Sequence, residues 1–249
     1  FPYTVEYSFA VGGDVEYILK MPGETVKKKE TLAKFLPLVK ENKHPEWWEQ
    51  IREWDKMEDR FLTSGERLTA PWVMTQLNKT FADRDTIFVT DVGQNQMWAA
   101  QYSKFDTTRR FVSSGGLGTM GFGFPAAVGA KIANPDMPVV CITGDGGFQM
   151  NMQELGTILQ SNVGVKMVIM NNSWLGMVRQ WQNLFYGQRY SYTTLNDCVD
   201  FVKLAEAMGA KAYRVTKKEE VEPVLKEAIS LNIPVVIDFQ IESDDKVWP

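Results

Sequence analysis

Cysteine and histidine are scarce in this 249-residue sequence: two cysteines, Cys141 and Cys198, and one histidine, His44. Two cysteines build no disulfide framework, so a reducing, cytoplasmic setting is expected. His44 precedes Pro45 in a polar stretch and reads as a surface side chain without a catalytic role. No apolar run reaches the roughly 20 residues a bilayer demands, so no membrane span is expected. No signal peptide is visible. Positive charge is not in excess either. The 27 Lys and Arg stand against 31 Asp and Glu, a net charge of −4, which argues against nucleic acid as the main partner. What is present, 44% hydrophobic and 23% charged residues, suits a soluble globular chain with one large domain and appendages.

The stretch from Val139 to Gln180 organises the rest. Val139–Thr143 is a short run rich in β-branched residues, ended by Gly144. Met150, Leu155, Ile158 and Leu159 then recur at helical spacing, and Val165–Met170 is a second apolar run with no room for a helix. This is a βαβ unit, whose two parallel strands open their carboxyl ends on one edge of the sheet. Asp145 follows the first strand and Asn172 the second, so both face the edge where ligands of open α/β sheets sit. A carboxylate beside a carboxamide offers hard oxygens, which suit Mg²⁺ shared with phosphate groups. Gly144, Gly146 and Gly147 would let backbone approach a bulky anion. A helix starting near Trp174 would aim its free N–H groups at the same place. The pattern GDG followed by a double Asn at this spacing is similar to the signature of thiamine-diphosphate enzymes, and is more specific than GDG alone.

The other segments extend the same architecture. Residues 1–19 are strand-like, with a Gly12-Gly13-Asp14 turn. Residues 20–66 read as a helical linker, with Trp47, Ile51 and Trp54 on one face as packing anchors. The compact domain is expected over 67–249. Thr69 caps a helix with Pro71 in its first turn, running to about Phe81. Strands follow at Thr86–Thr90, Arg110–Val112, Lys211–Val215 and Pro234–Gln240. Between them lie helices from about Gly93, after a glycine-rich loop at 114–123, and from Trp174. A further helix is capped by Asn196 or Asp197 and stops at Gly209. A capping box at Thr216–Glu219 opens the last helix. Six strands alternating with helices predict an α/β fold of three layers, with a mainly parallel sheet covered on both faces. Gly116, Gly118 and Gly121 nominally fit a dinucleotide fingerprint, but no acidic residue at a strand end follows at the required distance.

Four blocks, TDVGQNQMWAAQY, SSGGLGTMGFGFPAAVGA, GDGGFQMNMQELGT and NNSWLGMVRQWQNLFYGQRYS, together resemble the diphosphate-binding domain of acetohydroxyacid (acetolactate) synthases. VGGDVEYIL is similar to the tail of that family's middle domain, and the tryptophan-rich segment to its interdomain linker. The resemblance implies that Asp145, Asn172 and the Trp174 carbonyl bind Mg²⁺. It implies that Val92, Gly93, Gln94, Asn95 and Gly118, the GDGG turn of Gly144, Asp145, Gly146 and Gly147, and Leu175, Gly176, Met177 and Val178 hold thiamine diphosphate. Met120 would wedge under the bent cofactor. Met177 and Trp181 would contact the second 2-keto acid. The implied reaction joins pyruvate to another 2-keto acid, such as 2-ketobutyrate, with loss of CO₂, in branched-chain amino acid synthesis.

The match departs at Asn95, where the family usually carries a histidine. Asn keeps a hydrogen bond but cannot titrate near neutrality. On this resemblance the activating glutamate lies in an N-terminal domain, and FAD contacts the middle domain. The chain is thus expected to be a C-terminal portion, inactive alone, that works as a homodimer or higher assembly. A regulatory small subunit is a possible partner. Two other readings stay open: a 2-keto acid decarboxylase, which product analysis would distinguish, and a non-catalytic thiamine-diphosphate-binding module, which complementation by an N-terminal portion would distinguish.

Overall fold

Thr-Val-Glu-Tyr-Ser alternates polar and apolar side chains, the pattern of a strand with two unlike faces, and Thr4–Ser8 forms strand β1. The computed structural model describes residues 4–8, 16–21, 24–25, 45–62, 66–103, 105, 109–195 and 199–247. The chain forms two compact units, residues 1–64 with 105–109, and 65–104 with 110–249. In the first, β1 pairs antiparallel with β2 (Glu16–Met21), which pairs with β3 (Glu24–Thr25). Helix α1 (Pro45–Leu62) starts on a proline, whose missing N–H costs nothing at that position. Trp47 and Trp48 on α1 are 59% and 58% exposed; the side chain of Trp54 lies outside the described residues. His44 and the Gly12-Gly13-Asp14 turn lie outside the described residues.

The second unit carries a six-stranded sheet. Its strands are β4 (Ile87–Thr90), β5 (Phe111–Ser113), β6 (Val139–Gly144), β7 (Lys166–Asn171), β8 (Lys211–Val215) and β9 (Val235–Gln240), in the order β5-β4-β6-β7-β9-β8. Every pairing is parallel. The inner strands β6, β7 and β9 are buried almost throughout, whereas edge strand β8 alternates buried Ala212 and Val215 with exposed Lys211 and Arg214. This is the pattern of a sheet covered on both faces.

Helices α2 (Ala70–Phe81), α3 (Gln94–Tyr102), α4 (Gly123–Ala133), α5 (Asp145–Met150), α6 (Glu154–Gln160), α7 (Gly176–Phe185), α8 (Phe201–Met208) and α9 (Lys218–Ser230) connect the strands. Phe124 and Ala127 of α4, Phe148 of α5, Leu155 and Ile158 of α6, and Phe201 and Ala205 of α8 pack on one sheet face. That face includes Val89, Cys141, Met167 and Val236. Helices α2, α3 and α9 pack together on the other side, α3 against β6 and α9 against β8. No described helix is long and apolar enough to cross a membrane.

Four boundaries differ from expectation. The single helix after Asp145 is two, because Asn151 leaves the helix to donate its Nδ2 to the Gly121 carbonyl (2.6 Å). Met150 is therefore 52% exposed while Leu155 and Ile158 are buried. Helix α7 starts at Gly176, two residues past Trp174, because Trp174 bridges to Thr194 in extended pairing. Asp200 caps α8 by accepting the Lys203 N–H, rather than Asn196 or Asp197, which lie outside the described residues. The last capping carboxylate is Glu220, which accepts the N–H groups of Thr216 and Lys217, instead of Glu219.

Candidate functional site

Strand order reverses between β4 and β6. From β4 the chain moves outward to β5, and from β6 it moves the other way to β7. Connections leaving in opposite directions open a crevice at the carboxyl ends of such a strand pair. Asp91 leaves β4 into this crevice and is 1% exposed. Its Oδ1 accepts the N–H groups of Val92 (2.8 Å) and Gly121 (3.1 Å), and its Oδ2 accepts that of Gly123 (2.9 Å). Asp91 thereby clamps the glycine-rich loop to the end of β4. A Cβ on Gly147 would lie 2.3 Å from Asp91 Oδ1, and one on Gly123 would lie 2.7 Å from the Asp91 nitrogen. Gly147 thus also permits the close approach of the protein's own carboxylate.

Asp145 opens α5 immediately after β6 and is 3% exposed. Its Oδ2 is buried with no hydrogen-bond partner. Burial pushes its carboxyl up to about 7, against the pull of the backbone N–H groups of Gly146, Asp145 and Ser173, and with added repulsion from Asp238. The neighbouring strand, β7, ends in the double Asn, and its two side chains divide the work. Asn171 turns inward, donating to Asp238 Oδ1 (3.0 Å) and accepting the Ser173 N–H (3.1 Å). Ser173 then takes a left-handed φ of 62°. Asn172 Oδ1 accepts the Trp174 N–H (3.1 Å), and its Nδ2 donates to Gln94 Oε1 (3.2 Å). The Asn172 oxygen keeps a second lone pair.

These elements enclose a cleft with about 440 Å³ of open space. Val92, Gly93, Gln94 and Asn95 line it from the β4 turn and α3, and Met120 from the glycine-rich loop. Gly144, Asp145, Gly146 and Gly147 line it from the β6 end, and Asn172, Trp174, Leu175, Gly176, Met177 and Val178 from the β7 end. Two residues singled out from sequence are not in its wall. Gly118, at φ 62°, stands beside Val92, and Trp181 is 55% exposed on α7. Trp98 and Met170 complete the lining. Their apolar identity in a helix and a core strand signalled only burial. Asn95 donates its Nδ2 to the Ile142 carbonyl (3.1 Å), which ties α3 to β6 through a neutral amide. Gly176 has no alternative: a Cβ there would meet Gln94 Oε1 at 1.9 Å.

Among the described residues, no group of three or more His, Cys, Asp or Glu side chains could hold a metal ion. The residues lining the cleft include one carboxylate, Asp145, whose buried Oδ2 has no partner, and the carboxamides of Gln94, Asn95 and Asn172. That donor set fits a hard divalent cation whose remaining ligands are backbone carbonyls, water and the oxygens of a bound phosphate. It does not fit a soft or thiolate-seeking metal.

Residues 91–239 match the family model described as thiamine pyrophosphate enzyme, C-terminal TPP binding domain, and the chain belongs to that family. Within it, the chain is 46% identical over 245 residues to a probable acetolactate synthase large subunit of Methanocaldococcus jannaschii, covering 96% of this chain and 40% of that protein. It is 42% identical to the mitochondrial acetolactate synthase catalytic subunit of Saccharomyces cerevisiae, with 99% and 35% covered. Identity reaches 54% with a probable large subunit of Methanococcus aeolicus, with 68% and 28% covered. The chain spans between 28% and 40% of the length of these relatives. A thiamine diphosphate-dependent 4-hydroxybenzoylformate decarboxylase of Rhodococcus jostii RHA1 shares the fold. The TM-score is 0.65 at 24% identity, with 74% of this chain and 34% of that one covered.

Proposed function

We propose that this chain is the diphosphate- and Mg²⁺-binding part of an acetolactate synthase. The assembled enzyme would join pyruvate to a second 2-keto acid, pyruvate or 2-ketobutyrate, with loss of CO₂. The observation that carries the site assignment is the unpartnered, buried Oδ2 of Asp145, a residue that lines the same cleft as Asn172. A buried carboxylate oxygen without a partner costs stability unless a ligand satisfies it.

In this reading Asp145, Asn172 and the Trp174 carbonyl hold the cation. The turns at Val92–Asn95, Gly144–Gly147 and Leu175–Val178, with Gly118, hold the diphosphate and thiazolium ends. Met120 supports the cofactor from the glycine-rich loop. Bound thiamine diphosphate supplies the carbanion chemistry; the chain's residues bind, orient and exclude water. Met177 and Trp181 meet the second 2-keto acid, and the exposure of Trp181 suits a residue at the mouth of the site. Residues 1–19 then belong to a middle domain and 20–66 to a linker. The activating glutamate and most FAD contacts come from chain outside these 249 residues. The "large subunit" in the relatives' names supports a regulatory small subunit as partner, and in this reading a second copy of the chain would complete the site.

Calorimetric titration of thiamine diphosphate into the chain tests this, first with Mg²⁺ and then with EDTA. Binding that requires the cation is expected. Equal binding in EDTA would remove the metal assignment. Acetolactate formed by this chain alone, with cofactor and Mg²⁺ added, would overturn the half-site reading.

A further inference from the structure

Two of the three residues assigned to the cation are tied to one short segment, residues 243–247. The first tie is a chain of buried amides. Asn172 Nδ2 donates to Gln94 Oε1 (3.2 Å), and Gln94 Nε2 donates to Gln180 Oε1 (2.9 Å) and to the Asp245 carbonyl (3.0 Å). Gln180 then pairs with Val247 as a strand would. Its Nε2 donates to the Val247 carbonyl (2.8 Å), and its Oε1 accepts the Val247 N–H (3.1 Å). Asn172, Gln94, Gln180 and Val247 are each at most 7% exposed. The second tie runs through Arg179, the preceding residue of α7. Its guanidinium sits 4.1 Å from the Trp174 ring centre, pairs with Asp244 at 2.5 Å, and donates to the Ser243 carbonyl.

The orientation of each amide depends on the next. A carboxamide offers one acceptor oxygen and one donor nitrogen. Gln94 must present its oxygen to Asn172 because its nitrogen is committed to Gln180 and Asp245. Asn172 must then direct its nitrogen at Gln94, which leaves its oxygen for the Trp174 N–H and the cleft. Gln180 closes the chain on backbone groups that cannot rotate. Such buried networks act as units, because reversing one member leaves others unpaired.

We propose that Gln180 is a positioning residue that couples the 243–247 segment to the Asn172–Trp174 turn. Docking of the segment tightens the grip on cation and diphosphate, and their binding tightens the docking to the same degree. This rests on the cofactor reading above.

The test combines calorimetry with amide hydrogen exchange on the full chain, using thiamine diphosphate and Mg²⁺ as probes. Gln180→Met keeps the length of the side chain and removes its hydrogen bonds. It should weaken cofactor binding about 10-fold, the scale on which outer-shell partners of metal ligands act, while the Mg²⁺ requirement persists. In the parent, cofactor with Mg²⁺ should slow exchange of the Val247 amide by a similar factor, and Gln180→Met should abolish that slowing. A merely structural Gln180 would lower the melting temperature without making Val247 exchange respond to the ligand.

Metal-dependent binding in the parent with Val247 exchange unchanged overturns the coupling and leaves the cofactor site standing. Equal affinity in Gln180→Met does the same. No metal-dependent binding by the parent overturns both. If Gln180→Met does not fold, the exchange arm on the parent alone decides.

Discussion

Asp91 follows β4 and Asp145 follows β6, neighbouring strands whose ends lie side by side. The two carboxylates are 1% and 3% exposed. At Asp91 both oxygens accept backbone N–H groups, from Val92, Gly121 and Gly123. At Asp145 one oxygen has no partner and burial pushes the carboxyl up to about 7. Residue type, burial and place in the fold are the same, and three backbone N–H groups act on each carboxyl, so what separates the two roles is distribution: at Asp91 both oxygens are filled, at Asp145 Oδ2 is left without a partner. A carboxylate whose lone pairs are filled by backbone holds the fold together. One left short stores a cost that a ligand can relieve.

The sharpest way to break this comparison is to remove each carboxylate in turn. Asp91→Ala strands three backbone N–H groups in a buried turn, and urea unfolding should show a loss of roughly 3–5 kcal/mol. A loss under about 1 kcal/mol would mean that water or a relaxed loop replaces the clamp. Asp145→Asn should act in the opposite sense. It removes a buried charge with one oxygen unpartnered, so the ligand-free chain should melt at the parent's temperature or above it. Calorimetry should show cation-dependent affinity for thiamine diphosphate reduced at least about 100-fold, near 2.7 kcal/mol. A variant that melts earlier yet binds as tightly as the parent would assign Asp145 the structural role instead.

Much of this contrast was legible in the sequence, though unevenly. The spacing of Asp145 and Asn172 on a βαβ unit placed both at one sheet edge, because parallel strands leave no other arrangement. Six strands alternating with helices likewise led to the covered parallel sheet. Asp91 was visible only as part of a quoted motif, since nothing in a single aspartate after a strand tells whether backbone donors will fill it. That depends on the glycine-rich loop, 30 residues on, reaching back. Gln94 was named as a cofactor contact, but its pairing with Gln180 was hidden for the same reason: the two lie 86 positions apart and meet only in the fold. Helix boundaries slipped where a side chain competed with the helix for backbone groups, as at Asn151, or where a loop adopted extended pairing, as at Trp174. Gly147, expected to let backbone approach an anion, lines the cleft and also makes room for Asp91.

Gly147 sharpens the comparison further, because it belongs to the motif of Asp145 and makes room for Asp91. In Gly147→Ala the new methyl would meet Asp91 Oδ1 at 2.3 Å and Thr143 Oγ1 at 3.1 Å. Overpacking of this kind costs about 2 kcal/mol. The penalty should shrink to under about 1 kcal/mol when Asp91 is already alanine, because the clashing carboxylate is gone. Unfolding of the two single variants and the double variant measures that coupling. Additive penalties would show that the methyl strains the β6 turn itself.

Asp245 lies between the two extremes. One oxygen accepts the Ala70 N–H (2.9 Å), and partial burial raises its carboxyl to about 6, with repulsion from Glu242 and Asp244 adding to the shift. A carboxyl raised from 3.8 to about 6 holds more protons in the folded chain than in the unfolded one across that window. Its favourable contribution is present in full below pH 4 and is lost as pH rises through about 6. Asp245→Asn keeps an oxygen for Ala70 and cannot titrate. Relative to the parent, it should therefore gain stability as pH rises from 4 to 6. Screening at this partly buried position limits the gain to on the order of 1 kcal/mol. Urea midpoints of parent and variant at the two pH values give the difference directly. A difference that stays constant with pH would place Asp245 with Asp91, as a carboxylate whose partners already suffice.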